Sequence, residues 1–343
     1  MIRLYNKKNL ALAIWLSLIC MAVIIMIFVG GLTRLTDSGL SITEWKPISG
    51  IIPPLNADAW MHEFASYKES PEYKVYNYDM LLNEFKAIFW LEFIHRILGR
   101  LTVLLYIIPL MFFWFFNKIK KKNYFTYVGV FGLFLLQGFM GWYMVKSGLV
   151  NKPDVSHYRL AMHLLLAVFI YSILFWQLMQ EYFDIILIAK ITVLRLPAIL
   201  LIAAIILVIC QIIIGAFVAG LDAGLVYNQF PLMGNSIIPE EFATWSFSLQ
   251  LFADPIFVQF LHRIVAAIIL LQIIITAISM FGIDNNKLKR VAIYICLSLL
   301  LQIILGIITL IYQVPIAFAL LHQLGSILLL SMLLWGLFLV KNA

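Results

Sequence analysis

The chain has 343 residues, 64% hydrophobic and only 12% charged, with a mean hydropathy of +1.00. Too few polar side chains remain to wet the surface of a soluble globule this size, so the sequence reads as an all-α integral membrane protein. Its net charge of +7 comes from loops on one side of the membrane and is no argument for nucleic-acid binding.

A membrane-crossing helix needs about 20 mainly apolar residues. Eight stretches qualify, in chain order 10–32, 88–116, 124–145, 160–178, 196–219, 257–281, 291–312 and 316–340. The first is too long for a removable signal peptide, no small-residue cleavage site closes it, and further spans follow.

Basic residues gather in alternate connections. Arg3, Lys7 and Lys8 precede the first span; Lys118, Lys120, Lys121 and Lys122 follow the second; Lys190 and Arg195 follow the fourth; Lys287, Lys289 and Arg290 follow the sixth; Lys341 closes the chain. The positive-inside rule makes that side, with both termini, cytoplasmic. Residues 220–256, on the other side, contain no Lys or Arg. Cys20, Cys210 and Cys296 all fall in apolar spans and read as small buried hydrophobes.

The chain repeats itself. "VGGLTRLTDSGL" from Val29 aligns with "IGAFVAGLDAGL" from Ile214, so that Gly30, Asp37 and Gly39 match Gly215, Asp222 and Gly224. "LEFIHR" matches "VQFLHR", "LLQGFMG" matches "LLQIILG", and "LAMHLLLA" matches "ALLHQLGS". Two tandem four-helix bundles result, residues 1–184 and 185–343. With an even number of spans in each, they share one orientation about a pseudo-twofold axis along the membrane normal. Asp37 and Asp222 sit in Gly-containing turns and read as helix terminators.

Each half places one histidine on its second span and one on its fourth: His95 with His163, and His262 with His322. A lone histidine in an apolar helix commonly does no more than bond a neighbouring carbonyl. Four at matching positions point to ligation, because polar groups in lipid are costly and mark function. Zinc would want further Cys, His or carboxylate ligands, and none accompany either pair. Two axial imidazoles suit haem iron, whose other ligands come from the porphyrin.

Arg96, Arg100 and Arg263 lie beside these histidines and offer planar forks for haem propionates; snorkelling to head groups is the plainer reading of Arg96 and Arg263. All four histidines fall in the opening turns of helices entering from the outer face, so both haem sites are expected near that face. Two haems at one depth do not make a wire across the membrane. Gln137 and Gln302 recur on the third span of each half, where interhelical hydrogen bonds are expected.

The segments "GGLTRLTDSGLSITEWKPISGIIPP", "EFKAIFWLEFIHRILGR", "GFMGWYMVKSGL" and "HYRLAMHLLLA" resemble the haem A synthase family in its proteobacterial and mitochondrial branch, over nearly the whole chain. The resemblance implies oxidation of the C8 methyl of haem O to a formyl group by two successive hydroxylations, supplying haem A to cytochrome oxidase. It implies that His95 and His163 flank the substrate haem while His262 and His322 ligate a resident haem b. Some relatives carry an outer-loop cysteine pair that this chain lacks.

Glu92, at i, i+3 from His95 and on the same helical face, would take up protons or stabilise positive charge at the oxidised carbon. Gln259 replaces it in the second half. The plainer reading of Glu92 is an i, i+4 ion pair with Arg96.

The implied setting is a bacterial inner membrane. The implied partners are haem O, the haem O synthase preceding this enzyme, an external redox partner and membrane lipid, with a homo-oligomer left open. No dinucleotide fingerprint is present. The alternative is a membrane b-type haem electron carrier or haem transporter without methyl-oxidising activity, which the duplication suits and Glu92 does not.

Overall fold

The structure, a computed structural model, describes residues 10–45, 50–148, 154–183, 195–246 and 248–342. Arg3, Lys7, Lys8, Lys46, Pro47, Lys190 and the expected joint at 184/185 lie outside the described residues. Among the described residues the chain forms helices α1 (Leu10–Leu35), α2 (Ala57–Lys68), α3 (Pro71–Val75), α4 (Leu82–Phe115) and α5 (Tyr124–Gly148). There follow α6 (His157–Phe183), α7 (Arg195–Gly220), α8 (Pro255–Phe281), α9 (Asn286–Ile311) and α10 (Ile316–Lys341). All but α2 and α3 are long and apolar enough to cross a membrane, which makes eight. The protein is a multi-pass, all-helical membrane protein, and each long helix overlaps one span expected from hydropathy.

The helices outrun the apolar stretches where capping side chains satisfy their first N–H groups. The Glu84 side chain accepts from the Leu81 N–H at 2.7 Å, starting α4 six residues before its apolar run. Asp254 caps α8 through the Ile256 N–H at 2.8 Å. Asn285 caps α9 through the Lys287 N–H at 3.0 Å. α1 and α7 stop at matching places: Asp37 (φ 46°) and Asp222 (φ 49°) both adopt the left-handed conformation that Asp tolerates better than most residues.

Two compact units are distinguished, one of Ala22–Ala167, the other of Val168–Ala343 together with the chain up to Met21. In the second, α7 packs on α8, α8 on α9, α9 on α10 and α10 back on α7. That is a closed four-helix ring. Gln272 ties α8 to α7 by donating from Nε2 to the Leu200 carbonyl at 3.1 Å. The Tyr171 and Ser331 hydroxyls join α6 to α10 at 2.7 Å. Such bonds contribute about 0.6 kcal/mol on average between membrane helices. Cys20 is buried, but Cys210 is exposed on α7 rather than buried, since an apolar span can turn a side chain outward to lipid at no solvation cost.

In the unit of Ala22–Ala167, Tyr106 donates to the Tyr127 carbonyl at 2.8 Å, joining α4 to α5. Above the spans, α2 and α3 lie against the projecting start of α4 in an aromatic cluster of Phe64, Tyr67, Phe85, Phe89 and Phe93. Glu72 is 6% exposed within this cap. Its carboxylate accepts from the Tyr67 hydroxyl at 2.9 Å, and Asn77 donates to the same hydroxyl at 2.8 Å.

Burial pushes the Glu72 carboxyl from 4.5 up to about 7, against the smaller lowering effect of the Tyr67 hydrogen bond. A folded-state value raised in this way contributes stability that is complete below about 4.5 and is lost as pH rises through about 7. Proteolysis of the α2–α3 cap should therefore be slower at pH 5 than at pH 8, and Glu72→Gln should flatten that difference.

Candidate functional site

His95 stands on α4 and His163 on α6, while His262 stands on α8 and His322 on α10. His163, His262 and His322 lie about two turns from their helix starts. His95 lies nearly four turns in, because α4 begins early. None of the four imidazoles is fully buried, and each keeps part of its surface accessible.

Each imidazole rests on a glycine of the preceding long helix. A Cβ built on Gly30, Gly141 or Gly215 would stand 3.2, 3.3 or 3.4 Å from Cε1 of His95, His163 or His262. At Gly306 it would stand 2.7 Å from Cε1 of His322. At Gly306 only hydrogen lets the ring lie this close to a neighbouring backbone; at Gly30 and Gly141 a methyl would be tight, and at Gly215 it would make an ordinary contact.

The same helices carry glutamines one turn earlier. Gln137 donates to the His163 carbonyl at 3.1 Å, with the same amide nitrogen 3.3 Å from the ring Nε2. Gln211 donates to the His262 carbonyl at 2.8 Å. The Gln302 carbonyl accepts from His322 Nδ1 at 3.1 Å, which fixes that tautomer and leaves Nε2 as the ring's lone-pair nitrogen. The expected role of Gln137 between helices is thus present. The glycines' contacts and Gln211 were not read from the sequence, although a Gln-x-x-x-Gly spacing recurs at 137–141, 211–215 and 302–306. Its fourth instance is altered to Met26 before Gly30.

The fit to a haem can be tested on the second pair. The His262 and His322 ring centroids are 6.4 Å apart, with planes rotated by 69°. Imidazole nitrogens bound to one metal from opposite sides at about 2 Å each place their ring centroids about 6 Å apart. Nδ1 of His95, His163 and His262 is buried without a hydrogen-bond partner among the described residues. Among the described residues, no three His, Cys, Asp or Glu side chains cluster as they would around a bare ion. The donor set fits a planar macrocycle that brings its own equatorial ligands.

The acid and Arg96 and Arg263 face the loops that follow α1 and α7. Glu92 is 3% exposed and accepts four hydrogen bonds. One oxygen takes the Ser41 hydroxyl at 2.7 Å and the Ile42 N–H at 2.8 Å. The other takes Arg96 Nε at 3.1 Å and Nη2 at 2.6 Å. Arg96 also donates to the carbonyls of Ile42 at 3.0 Å and Glu44 at 3.3 Å, and lies 5.3 Å from the Trp45 ring. The ion pair expected as the plainer reading of Glu92 is therefore present, and it clamps residues 41–45 onto α4.

In the second half Gln259 and Arg263 both donate to the Tyr227 carbonyl at 3.0 Å, and Arg263 to that of Leu232 at 3.0 Å. The alignment that pairs Asp37 with Asp222 pairs Ile42 with Tyr227 and Ser41 with Val226. The clamp is common to both halves. The carboxylate and the hydroxyl that serves it occur in one. Arg100 follows Arg96 by one turn of α4.

These features define a class: polytopic helical membrane proteins with a duplicated pair of intramembrane histidines suited to a flat iron macrocycle. The chain belongs to the COX15-CtaA family of cytochrome oxidase assembly proteins, whose family model matches residues 13–334. It is 52% identical over 337 residues to a heme A synthase of Rickettsia bellii, covering 98% of this chain and all of that one. Heme A synthases of Rickettsia akari and Rickettsia felis are 51% and 50% identical over 329 residues, covering 96% of this chain and 98% of each relative.

The glycine contacts predict graded effects. Gly306→Ala must displace the His322 ring and should strip most haem from the second half, seen as a lost Soret band per mole of purified protein. Gly215→Ala, with ordinary contact distance, should leave that band nearly intact.

Proposed function

We propose that this protein is a haem A synthase, oxidising the C8 methyl of haem O to a formyl group in two successive hydroxylations, the second giving a gem-diol that loses water. What carries the reading is the presence of an acid, Glu92, in one of two otherwise matching histidine-pair sites. In it, residues 1–184 form the substrate half and residues 185–343 the resident-haem half. The protein lies in the bacterial inner membrane with both termini cytoplasmic and both haem sites toward the outer face.

His95 and His163 hold the substrate haem, and their glycine supports set the ring positions. His262 and His322 hold a haem b, which supplies one-electron transfer when bound. Arg100 and the two outer arginines, Arg96 and Arg263, present positive charge to the propionate edge, and Arg96 and Arg263 also secure the covering loops. Haem O synthase and an external electron acceptor are the expected partners.

Glu92 acts through charge. Its four donors hold the carboxylate in one orientation, a turn from His95, so a positive charge developing on the methyl carbon meets a pre-oriented acceptor with no reorganisation. Ser41 and the Ile42 N–H anchor one oxygen, Arg96 the other. Gln259, serving the matching clamp without charge, leaves the second half inert towards its haem.

Glu92→Gln borrows the second half's own solution, so the loop should stay closed. Haem extracted from that variant should contain haem b and haem O at ordinary levels and no haem A. Accumulation of haem A would remove the proposed role. Ser41→Ala takes one hydrogen bond from a carboxylate, worth about 1.5–3 kcal/mol, and should slow formyl production by roughly tenfold or more, with Ser41→Thr restoring most of it.

A further inference from the structure

Between α1 and α4 runs an apolar groove of about 480 Å³, lined by Ala22 and Ile25 on one side and by Leu98, Thr102, Leu105 and Pro109 among others on the other. The α4 residues follow His95 at i+3, i+7, i+10 and i+14, so they continue the helical stripe that carries the imidazole. The α1 residues precede Gly30, the residue on which His95 rests. The groove thus begins about one turn past His95 and runs toward the lysine-rich end of α4. From Leu98 to Pro109 it spans about 16 Å at 1.5 Å per residue. Its lining offers no spare polar group: the Thr102 hydroxyl donates to the Leu98 carbonyl at 2.8 Å, and Pro109 has no N–H.

The second half differs at the same place. The offset that pairs His95 with His262 pairs Leu105 with Gln272, and Gln272 reaches across to the Leu200 carbonyl. Where one half leaves an apolar furrow, the other has a hydrogen-bonded tie between its first two helices.

We propose that the α1–α4 groove receives the hydroxyethylfarnesyl chain of haem O and thereby sets which ring methyl faces Glu92. This rests on the functional reading given above. Haem O carries its isoprenoid chain on the macrocycle edge opposite the propionates. With the propionates toward the outer arginines, the chain runs inward, as the groove does.

Two axial imidazoles leave a macrocycle free to rotate about their common axis, so axial ligation alone does not choose a methyl. Lipid solvates an isoprenoid chain as well as leucine does; the groove's contribution is therefore orientation rather than affinity. A resident haem b has no such chain, and the second half ties its first two helices together at the matching place.

The test loads full-length protein with haem O in detergent and records the hyperfine-shifted ring-methyl proton resonances of the ferric form. The resident haem's own set serves as the control for folding. Wild type should give one haem O set. Ala22→Phe, which fills the upper groove, and Leu105→Gln, which copies the second half, should each give two or more sets and at least a tenfold lower formyl yield, with the resident set unchanged.

A single unshifted haem O set in both variants would overturn the proposal, as would a co-purified phospholipid chain occupying the groove while haem O keeps its one orientation. A wild-type protein that shows no haem O set at all would instead overturn the functional reading beneath it.

Discussion

A hydrocarbon interior cannot solvate an imidazole, and every histidine inside these spans must therefore meet a partner supplied by the protein or by something it binds. That constraint organises the molecule. The chain gives each ring a glycine to rest on, and for three of the four leaves the buried Nδ1 without a hydrogen bond among the described residues. Burying polar atoms in this condition is costly, and ionisable residues kept at matching places inside such spans mark function. Glycine on the facing helix brings the ring close to its neighbour's backbone, and a glutamine one turn away grips the histidine's own helix at two of the sites.

The second organising feature is the clamp between the loops after α1 and α7 and the helices that carry His95 and His262. An arginine one residue past each histidine donates to the carbonyl of Ile42 or Tyr227. Taking one partner from a buried ion pair such as Glu92–Arg96 costs about 3–5 kcal/mol. In the first half the carboxylate proposed to serve the chemistry is also one partner in this clamp.

Duplication gives the protein an internal comparison. Positions serving loop closure and the support of the histidine rings match between the halves: Gly30 with Gly215, His95 with His262, Arg96 with Arg263, Asp37 with Asp222. Positions that differ do so in concert. Glu92 with Ser41 stands against Gln259 with Val226, and the open stripe at Leu105 stands against the tie at Gln272. The first half also carries the larger aromatic cap of α2 and α3. A common scaffold thus departs from symmetry at the groups suited to handling a substrate.

The sequence by itself determined the solvent, the eight spans and the repeat, and it singled out the paired histidines and Glu92 as candidates for the chemistry. Apolar length and the spacing of histidines are local properties of the chain, visible without coordinates. It also offered both readings of Glu92, and the ion pair could be anticipated because i, i+4 proximity is built into any helix. Only tertiary structure decided that Arg96 and Arg263 spend their donors on loop carbonyls, that Ser41 reaches Glu92 from 51 residues away, and that four glycines support four imidazoles. It also set the 6.4 Å spacing of the His262 and His322 rings. These are contacts between helices distant in sequence. They depend on how helix faces are rotated against one another, and hydropathy, which records only that a segment is apolar, carries no information about that rotation.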